Sequence, residues 1–483
     1  MSGPRPPGNG PRPPGSRDAL AALVAPLAPL GDGAWAVGGG VRDALLGRPV
    51  ADLDVAVVAH AGQAAAALAR AHSATRFRLS RAFGAWRVQG GGLPYQVDVT
   101  PLQGPDLDED LGRRDLTVNA LALPVSADPR VIDRHGGLAD LEARRLRAVR
   151  DSAFADDPVR LLRVARLAEQ LGFAIDPATA GAARRDAVRI WEAPGERLAD
   201  ELSAIARLRH PDRAFARLDE VGALGALVPQ LEASRGVDQS PYHHADVLGH
   251  TLDVVRHAAD LVADPEPVFR ARAARVAAVL AEPLADELTR GQALILPALL
   301  HDMAKPATRE VTPEGRITFR GHDRLGAEMA DELLRRLRTS TRLREFVARC
   351  VRMHLPLGFM VHRTPLSLRE IDRYLRATAP CQVEIIVLTV ADRLATHGPR
   401  TSESAIRRHL VLAREMMDAH FTLEDRGPIQ PLLAGDEVAE ALGRAPGPWL
   451  AELLEALREE QVVGAVRTRE QALGFARRWS AGA

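Results

Sequence analysis

Apolar positions along this chain change their spacing once, near Asp151, and the change divides it. Before that point helix and strand alternate. Asp18–Leu30 repeats apolar residues at helical spacing. The short run Trp35–Val37 reads as a strand and ends in Gly38, Gly39 and Gly40, after which VRDALLG reads as a helix. Leu53–Val58 is strand-like and Ala61–Ala71 helical. Arg76–Val88 and Tyr95–Val99 alternate as strands, with Gly90, Gly91 and Gly92 as a hairpin turn. After Asp151 the spacing becomes helical and stays so, with Pro177, Pro194, Pro211 and Pro229 separating short helices. A second helical stretch runs from Pro241 to about Pro399, and Thr401–Ala483 is helical again around a loop at Gly443–Pro448. The pattern predicts an α+β chain: an α/β head over residues 18–149, then an all-helical neck and body (150–240), a further helical domain (241–400) and a helical tail (401–483).

Length supports this division, since one core rarely grows past ~250–300 residues and the chain has 483. Abundant Ala, Leu and Arg with 4% aromatics favour helix. Lys and Arg (63) balance Asp and Glu (63), so net charge carries no sign of nucleic acid, and any RNA contact must come from local patches. Cys350 and Cys381 make no disulfide framework and fit a reducing, cytoplasmic setting. No apolar run reaches the ~18 residues a membrane span needs. Residues 1–17, rich in Pro and Gly and without an apolar signal core, read as a disordered tail.

The strongest chemical signal lies in Trp35–Val58. Asp52 and Asp54 flank Leu53 on a strand, where alternate side chains share a face. Glycines let backbone N–H groups approach a phosphate closely. Paired carboxylates beside such a turn suit two Mg²⁺ ions in nucleotidyl transfer. An ordinary glycine turn followed by a loop Asp pair is the alternative. Asp98, in YQVDV, is a candidate third carboxylate on a neighbouring strand or a solvated strand-end residue. Gly38, Gly39 and Arg42 are expected to contact a triphosphate, with Asp43 bracing Arg42.

Asp110–Ala120, DLGRRDLTVNA, resembles the DLxRRDFTxNA motif of the tRNA nucleotidyltransferase and poly(A) polymerase family. Asp133–Asp140 (DRHGGLAD), Phe154–Arg166 (FADDPVRLLRVAR) and Glu196, Arg197 and Glu201 in ERLADEL resemble its later motifs, in the family's order. The likeness is to the class II, bacterial-type CCA-adding enzymes and covers about the first half of the chain. It implies that Arg113, Arg114, Asp115 and Asn119 bind the phosphates and ribose of the incoming nucleotide.

Asp157 and Arg160 stand three positions apart, as neighbours on a helix would. Asp accepts hydrogen bonds and Arg only donates them. Cytosine offers an N4 donor beside the N3 acceptor, and adenine an N6 donor beside N1. One acceptor–donor fork therefore fits CTP and ATP, while uracil and guanine present the reverse order and leave groups unpaired. Arg163 is expected to brace the fork. An ordinary i, i+3 salt bridge is the alternative. Three departures from the family pattern stand out. Leu116 replaces the usual Phe, Asp156 stands where Glu is common, and the Asp98–Asp110 interval is short. CCA-adding relatives often carry a longer flexible loop in that interval, and enzymes that add only CC lack it.

In the second half, His250, His301, Asp302, His322, His354 and Asp392 resemble an HD domain, with HDMAKP (His301–Pro306) as its core. The resemblance implies a divalent transition metal and phosphomonoesterase or cyclic phosphodiesterase chemistry, or a scaffold with an empty or weak site. Lys305, the chain's only lysine, sits where HD families commonly have Lys. His243, His244 and His257 have no assigned partner, and His135 reads as solvated. The tail, with Gly435-Asp436 and Pro446-Gly447-Pro448, resembles the C-terminal region of HD-containing CCA-adding enzymes. That likeness implies support for the acceptor and TΨC arms of tRNA, with a helical dimer or packing element as the alternative.

The expectation is a cytoplasmic enzyme that adds CCA to tRNA 3′ ends from CTP and ATP with Mg²⁺. The rivals are a CC-only transferase, a poly(A) polymerase, an HD phosphohydrolase with a degenerate head, and a non-catalytic nucleotide sensor. Nothing in the sequence bears on oligomeric state.

Overall fold

The computed structural model describes residues 15–58, 60–80, 84–126, 129–239, 244–427 and 429–482. His243 and the Pro/Gly segment up to residue 14 lie outside the described residues. The chain divides into two compact units, Met1–Ala193 with Arg217–Ala226 and Pro194–Ala216 with Leu227–Ala483.

The first unit is built on a seven-stranded sheet. Its strands are β1 (Ala34–Val37), β2 (Asp52–Val57), β3 (Thr75–Arg78), β4 (Trp86–Gln89), β5 (Gln96–Pro101), β6 (Leu121–Pro124) and β7 (Ile132–Asp133). They lie in the order β3-β4-β5-β2-β1-β6-β7. Only β2 and β5 run parallel. A parallel pair needs a long crossover, and here the helix Ala61–His72 and the β3–β4 hairpin supply it. That helix turns Ala64, Ala65, Leu68 and Ala69 to the core. The expected strand Arg76–Val88 resolves into the antiparallel pair β3 and β4. Gly91 turns the chain from β4 towards β5 at φ +60°, where an added Cβ would meet His72 O at 2.1 Å, so only glycine fits.

Beyond β7 helices dominate, but not alone. Arg145–Leu146 pairs in parallel with Ala174–Ile175. In the second unit Pro283–Ala285 pairs with Leu288–Thr289, and Arg309–Val311 with Ile317–Phe319. The all-helical expectation missed these because strands of two or three residues are too short to show an alternation. The second unit is otherwise helical around the buried segment Ile295–Leu300, with Val247–Ala263 packed against it and against Gln382–Leu394. The tail helices Gly435–Leu442, Pro448–Val462 and Arg469–Gly482 share a core of Leu433, Val438, Leu453, Leu457 and Val466. The tail also pairs Arg458 with buried Asp372 at 2.8 Å and Glu459 with Arg373 at 2.9 Å. Both cysteines are buried thiols, and no helix among the described residues is long and apolar enough to cross a membrane.

Candidate active site and metal centre

In the first unit, β2 presents Asp52 and Asp54 outward and buries Leu53 and Val55 on its other side. The parallel register sets Asp98 on β5 directly opposite Asp54, so all three carboxylates share one face. Water reaches Asp54 from the open side. Protein atoms crowd the rest of the carboxyl and raise its pKa, with Asp98 and Asp52 adding to the rise and Arg114 opposing it. Gly38, at φ +76°, ends β1 against this group. A Cβ there would lie 3.1 Å from Asp54 Oδ2 and 3.0 Å from Arg114 Nη1. Gly40 packs under Leu53, whose Cδ1 an added Cβ would meet at 2.5 Å.

Asp98 is not presented to an ion here. Arg87 on β4 donates Nε and Nη2 to its two carboxylate oxygens, both at 2.8 Å. Neither alternative read from the sequence foresaw Arg87. Asp52 and Asp54 supply hard oxygen donors on one face, the chemistry Mg²⁺ prefers.

Arg42 departs from its expected place. It is 5% exposed. Its Nε and Nη2 donate to Asp43 at 2.9 Å, and Nη1 donates to Asn119 Oδ1 at 2.6 Å. The brace by Asp43 is present, but the guanidinium holds Asn119 rather than facing the cleft. Leaving one member of such a buried pair alone costs ~3–5 kcal/mol, so the arrangement is strongly specified. Asn119 Nδ2 in turn donates to Asp115 Oδ1 at 3.0 Å. Burial alone would raise Asp115, but Arg163, Asn119 and the Leu116 N–H outweigh it and hold the carboxyl low. Asp110, 4% exposed, accepts from Gln103 N at 2.9 Å and from Arg114 at 3.1 Å, which aims Arg114 toward Asp54. Arg113 pairs outward with Glu109 at 2.9 Å. Leu116 is buried, as a packing replacement for Phe should be.

The Asp157–Arg160 pair is real but not helical. Ala153–Asp156 and Arg160–Leu171 are separate helices, and Asp157 between them is extended at φ −150°, ψ 96°. Pro158 is the cause, because proline disfavours helical backbone in the residue before it. Arg160 donates Nη1 to Ala153 O at 3.1 Å and Nη2 to Arg113 O at 2.6 Å, while its Nε stands 3.9 Å from Asp157 Oδ2. Arg163 Nε lies 3.7 Å from Asp115 Oδ2. A cavity of about 200 Å³ gathers Arg113, Arg114, Asp115, Asp157, Arg160 and Arg163.

The remaining motifs hold structure. Asp133 caps the turn before the helix Gly137–Glu142, accepting from the Gly137 and Leu138 N–H groups at 2.8 and 2.9 Å. Buried Asp140 accepts from Thr117 at 2.7 Å and from Arg145 and Arg147. His135 is not solvated as expected: its Nε2 is buried without a hydrogen-bond partner among the described residues. In the second unit Glu196 pairs with Arg338 at 2.6 Å.

The second unit brings all six HD residues together. His301 Nε2 lies 3.1 Å from Asp302 Oδ2, and His250 Nε2 lies 3.0 Å from Asp392 Oδ1. His322 Nε2 is 3.3 Å from Asp302 Oδ1 and 3.4 Å from His354 Nε2. Two groups can each hold an ion, His250–His301–Asp302 and Asp302–His322–His354, and both use Asp302. The rings are aimed from behind, since Nδ1 of His301, His322 and His354 each meet a carbonyl three residues earlier, at 3.0, 2.6 and 2.6 Å. That leaves each Nε2 facing inward, and a second contact of this kind fixes the tautomer of a ligating histidine. His301 Nε2 is buried with no hydrogen bond among the described residues. Burial alone would raise Asp302, but His301 and Lys305 outweigh it and hold the carboxyl well below its usual range. Burial, with His301, pushes His354 down to about 4, so its imidazole is neutral at pH 7. Imidazoles and carboxylates suit a divalent transition metal, and the inward nitrogens fit one. Lys305 Nζ contacts Asp302 and Gln239, each at 2.6 Å. Outside the cluster, His244 pairs with Asp253 at 3.1 Å and His257 contacts Arg256 at 3.2 Å.

Known families match segments of the chain from residue 34 to residue 397. The chain matches the poly A polymerase head domain over residues 34–103 and 94–147, the probable RNA and SrmB-binding site of polymerase A over 172–234, and the HD domain over 247–397. It is 35% identical over 463 residues to the A-adding tRNA nucleotidyltransferase of Deinococcus radiodurans, covering 94% of this chain and 97% of that protein. It is 35% identical over 458 residues to the CC-adding tRNA nucleotidyltransferase of Thermus thermophilus, covering 93% and 94%. A CCA-adding enzyme in complex with ATP shares the fold at TM-score 0.64 and 18% identity, over 95% of each chain. The Thermotoga maritima CCA-adding enzyme complexed with tRNA does so at TM-score 0.58 and 19% identity, again over 95% of each. The chain belongs to the bacterial-type tRNA nucleotidyltransferase family and is a nucleotidyltransferase that carries an HD domain.

Proposed function

We propose that this enzyme extends tRNA 3′ ends with CCA, taking CTP and ATP and using Mg²⁺. The observation that carries the reading is the cleft in which Asp157 and Arg160 meet Arg113, Arg114, Asp115 and Arg163. It joins an acceptor–donor pair for a base edge to cationic groups for a triphosphate. A relative named a multifunctional CCA protein and structural neighbours solved with ATP, CTP and tRNA support it, while the relatives named for A addition and for CC addition support nucleotide transfer to tRNA alone.

Asp52 and Asp54 would hold Mg²⁺, which when bound lowers the pKa of the attacking 3′-hydroxyl and offsets charge on the transferred phosphate. Arg114, aimed by Asp110, and Arg163 supply positive charge to the triphosphate. Arg42 acts through Asn119 and Asp115 and is a positioning residue. Arg160, steadied on two carbonyls, donates to the cytosine N3 or adenine N1, and Asp157 accepts from the exocyclic amine. Residues 18–149 form the head in this reading, with base reading in 150–240, the HD domain in 241–400, and the tail of 401–483 along the tRNA.

One observation favours a second reading, addition that stops at CC. Only Leu102–Asp106 separates β5 from the helix Leu107–Gly112, and Gln103 N is tied to Asp110 Oδ1 at 2.9 Å. That leaves little chain for a lever that would reset the fork for ATP.

The HD centre is a second active site for phosphate-ester hydrolysis. Its six residues would hold a divalent transition metal, which when bound polarises the phosphate and activates water for attack. Lys305 offers a cation beside Asp302 to a second phosphate oxygen.

The test is incubation with tRNAs ending before C, after C and after CC, each with one nucleotide supplied. CTP should extend the first two and ATP the third, with Asp54→Ala inert throughout. Incorporation by Asp54→Ala near the parent rate overturns the metal assignment. Failure of ATP to extend the CC end selects the CC-only reading.

A further inference from the structure

Most cations of the second unit are neutralised. Arg290 pairs with Glu384, and Arg376 and Arg458 both pair with Asp372. Three arginines gather on one cavity instead. Arg393, Arg400 and Arg408 make no hydrogen bond and no ion pair among the described residues. They come from the helix Gln382–Leu394, the segment after it, and the helix Glu403–Arg426, yet all three line one cavity. Arg393 lies near enough to both Asp392 and Arg408 for their charges to act on it, and its Nε is buried without a hydrogen-bond partner among the described residues. Three cations on one wall outnumber the one carboxylate that acts on them, an arrangement that suits an anion.

The same cavity, about 580 Å³, opens onto Asp302, His322, His354 and Asp392. Its volume is that of a pocket for a ligand of nucleotide size. Phe359, 67% exposed, is an aromatic surface on its wall. His409, 4% exposed, also lines it, with Nε2 buried and without a hydrogen-bond partner among the described residues. The cavity thus holds two separate anion-binding groups, an aromatic face and a hydrogen-bonding imidazole.

We propose that the HD cavity is a two-phosphate site. One phosphate ester sits at the His/Asp centre, a second, non-reacting phosphate on Arg393, Arg400 and Arg408, and a base against Phe359, with His409 Nε2 meeting a ribose hydroxyl. The ligand class is a nucleotide with phosphates on both its 3′ and 5′ sides, and its being a substrate rests on the HD centre being a phosphohydrolase. Such a nucleotide occurs free, as a nucleoside bisphosphate, or as the last residue of an RNA ending in a 3′-phosphate.

Calorimetric titration of the metal-loaded full chain, with a non-hydrolysable methylene phosphonate in place of each probe's 3′-phosphate, tests the site without turnover. The probes are adenosine 3′-monophosphate, adenosine 3′,5′-bisphosphate and a trinucleotide with a 3′-phosphate. The bisphosphate should bind about tenfold tighter than the monophosphate, and Arg400→Met/Arg408→Met should reduce that ratio to about twofold or less. The head is identical in both proteins, so the difference reports the cavity. The exposed single variant Arg400→Met should lower the ratio in part, and an unchanged thermal midpoint keeps loss of folding out of the comparison. Equal binding of the two nucleotides by the parent, or a ratio that survives the double variant, overturns the proposal. Tighter binding of the trinucleotide than of the bisphosphate assigns the RNA end, and otherwise the free nucleotide is assigned. Hydrolysis of the unmodified probes with added Mn²⁺ is followed separately. Its absence with the two-phosphate preference intact removes the phosphohydrolase reading and leaves the site standing.

Discussion

Gly38→Ala tests how closely the phosphate turn and the carboxylates are fitted. Gly38 has φ +76° and ψ −144°, close to a region essentially reserved for glycine, where an L-residue stores ~1–3 kcal/mol. The new Cβ would lie 3.0 Å from Arg114 Nη1 and 3.1 Å from Asp54 Oδ2, so both must move a few tenths of an ångström. Neither moves freely: Arg114 is bonded to buried Asp110, and Asp54 is fixed by pairing on both sides of β2. Unfolding free energy should therefore fall by ~1–3 kcal/mol from backbone strain. A misplacement of 1 Å can cost ~10²-fold in rate, so this smaller shift should lower kcat/KM for CTP incorporation by about tenfold or more. Gly39→Ala is the control. Its Cβ would meet only Arg42, at 3.4 Å and no closer, and its φ is ordinary. In a helix Ala is favoured over Gly by up to ~1 kcal/mol, so that variant should keep or gain stability. Urea unfolding and steady-state incorporation measure both. Parent-level stability and kcat/KM in Gly38→Ala, or equal losses in Gly39→Ala, would refute the reasoning.

Asp157→Ala should raise UTP and GTP misincorporation relative to CTP while leaving triphosphate KM within a few-fold; an unchanged nucleotide preference with only a slower rate would make the pair structural. His301→Ala/Asp302→Ala should strip the second unit of transition metal, and equal metal content in parent and variant by elemental analysis would favour the scaffold reading. Asp140→Asn should destabilise most near neutral pH. Burial opposes ionisation of Asp140, but Thr117, Arg145 and Arg147 outweigh it and lower its folded pKa. A depressed carboxylate stabilises the fold above its unfolded pKa of ~3.9, and that contribution fades as pH falls through the folded value. The gap in urea midpoint between parent and Asp140→Asn should close below about pH 4; a constant gap from pH 3 to 7 would contradict it.

The readable parts of the site are those that local geometry controls. Asp52 and Asp54 share a face because a strand alternates, and no tertiary contact was needed to say so. His301 and Asp302 are adjacent in the chain, whereas His250, His322, His354 and Asp392 reach them only through helix packing and were legible only by resemblance. Arg87 was invisible for the same reason. Nothing local separates it from Arg76 or Arg78, and only the β4–β5 register sets it against Asp98. Arg42 misled because its main partner beyond Asp43 is Asn119, 77 positions away. The break at Asp157 was missed although Pro158 signals it, since proline disfavours helical backbone at the residue before it and so opposes the single helix that the motif's length suggested. Arg393, Arg400 and Arg408 carry no motif, and what marks them is their meeting on one cavity from three separate segments, which only the fold reveals.

The two sites differ in donor chemistry, and that difference lets one chain carry both. Asp52 and Asp54 offer only carboxylate oxygens, a weak and labile set that suits Mg²⁺ held in part by a triphosphate. The HD cluster offers four imidazoles with Asp302 and Asp392, a set that favours later transition metals by the Irving–Williams order. Neither set shares a residue with the other, so loading one need not deplete the other. Within the HD cluster the economy is reversed. Asp302 serves both three-residue groups and is also the anchor of Lys305. With two oxygens divided between His301 and His322, it fixes the spacing of the whole centre. Loss of that one carboxylate would take the shared oxygen ligands from both three-residue groups and the anchor from Lys305, whereas loss of any single histidine would leave one three-residue group intact.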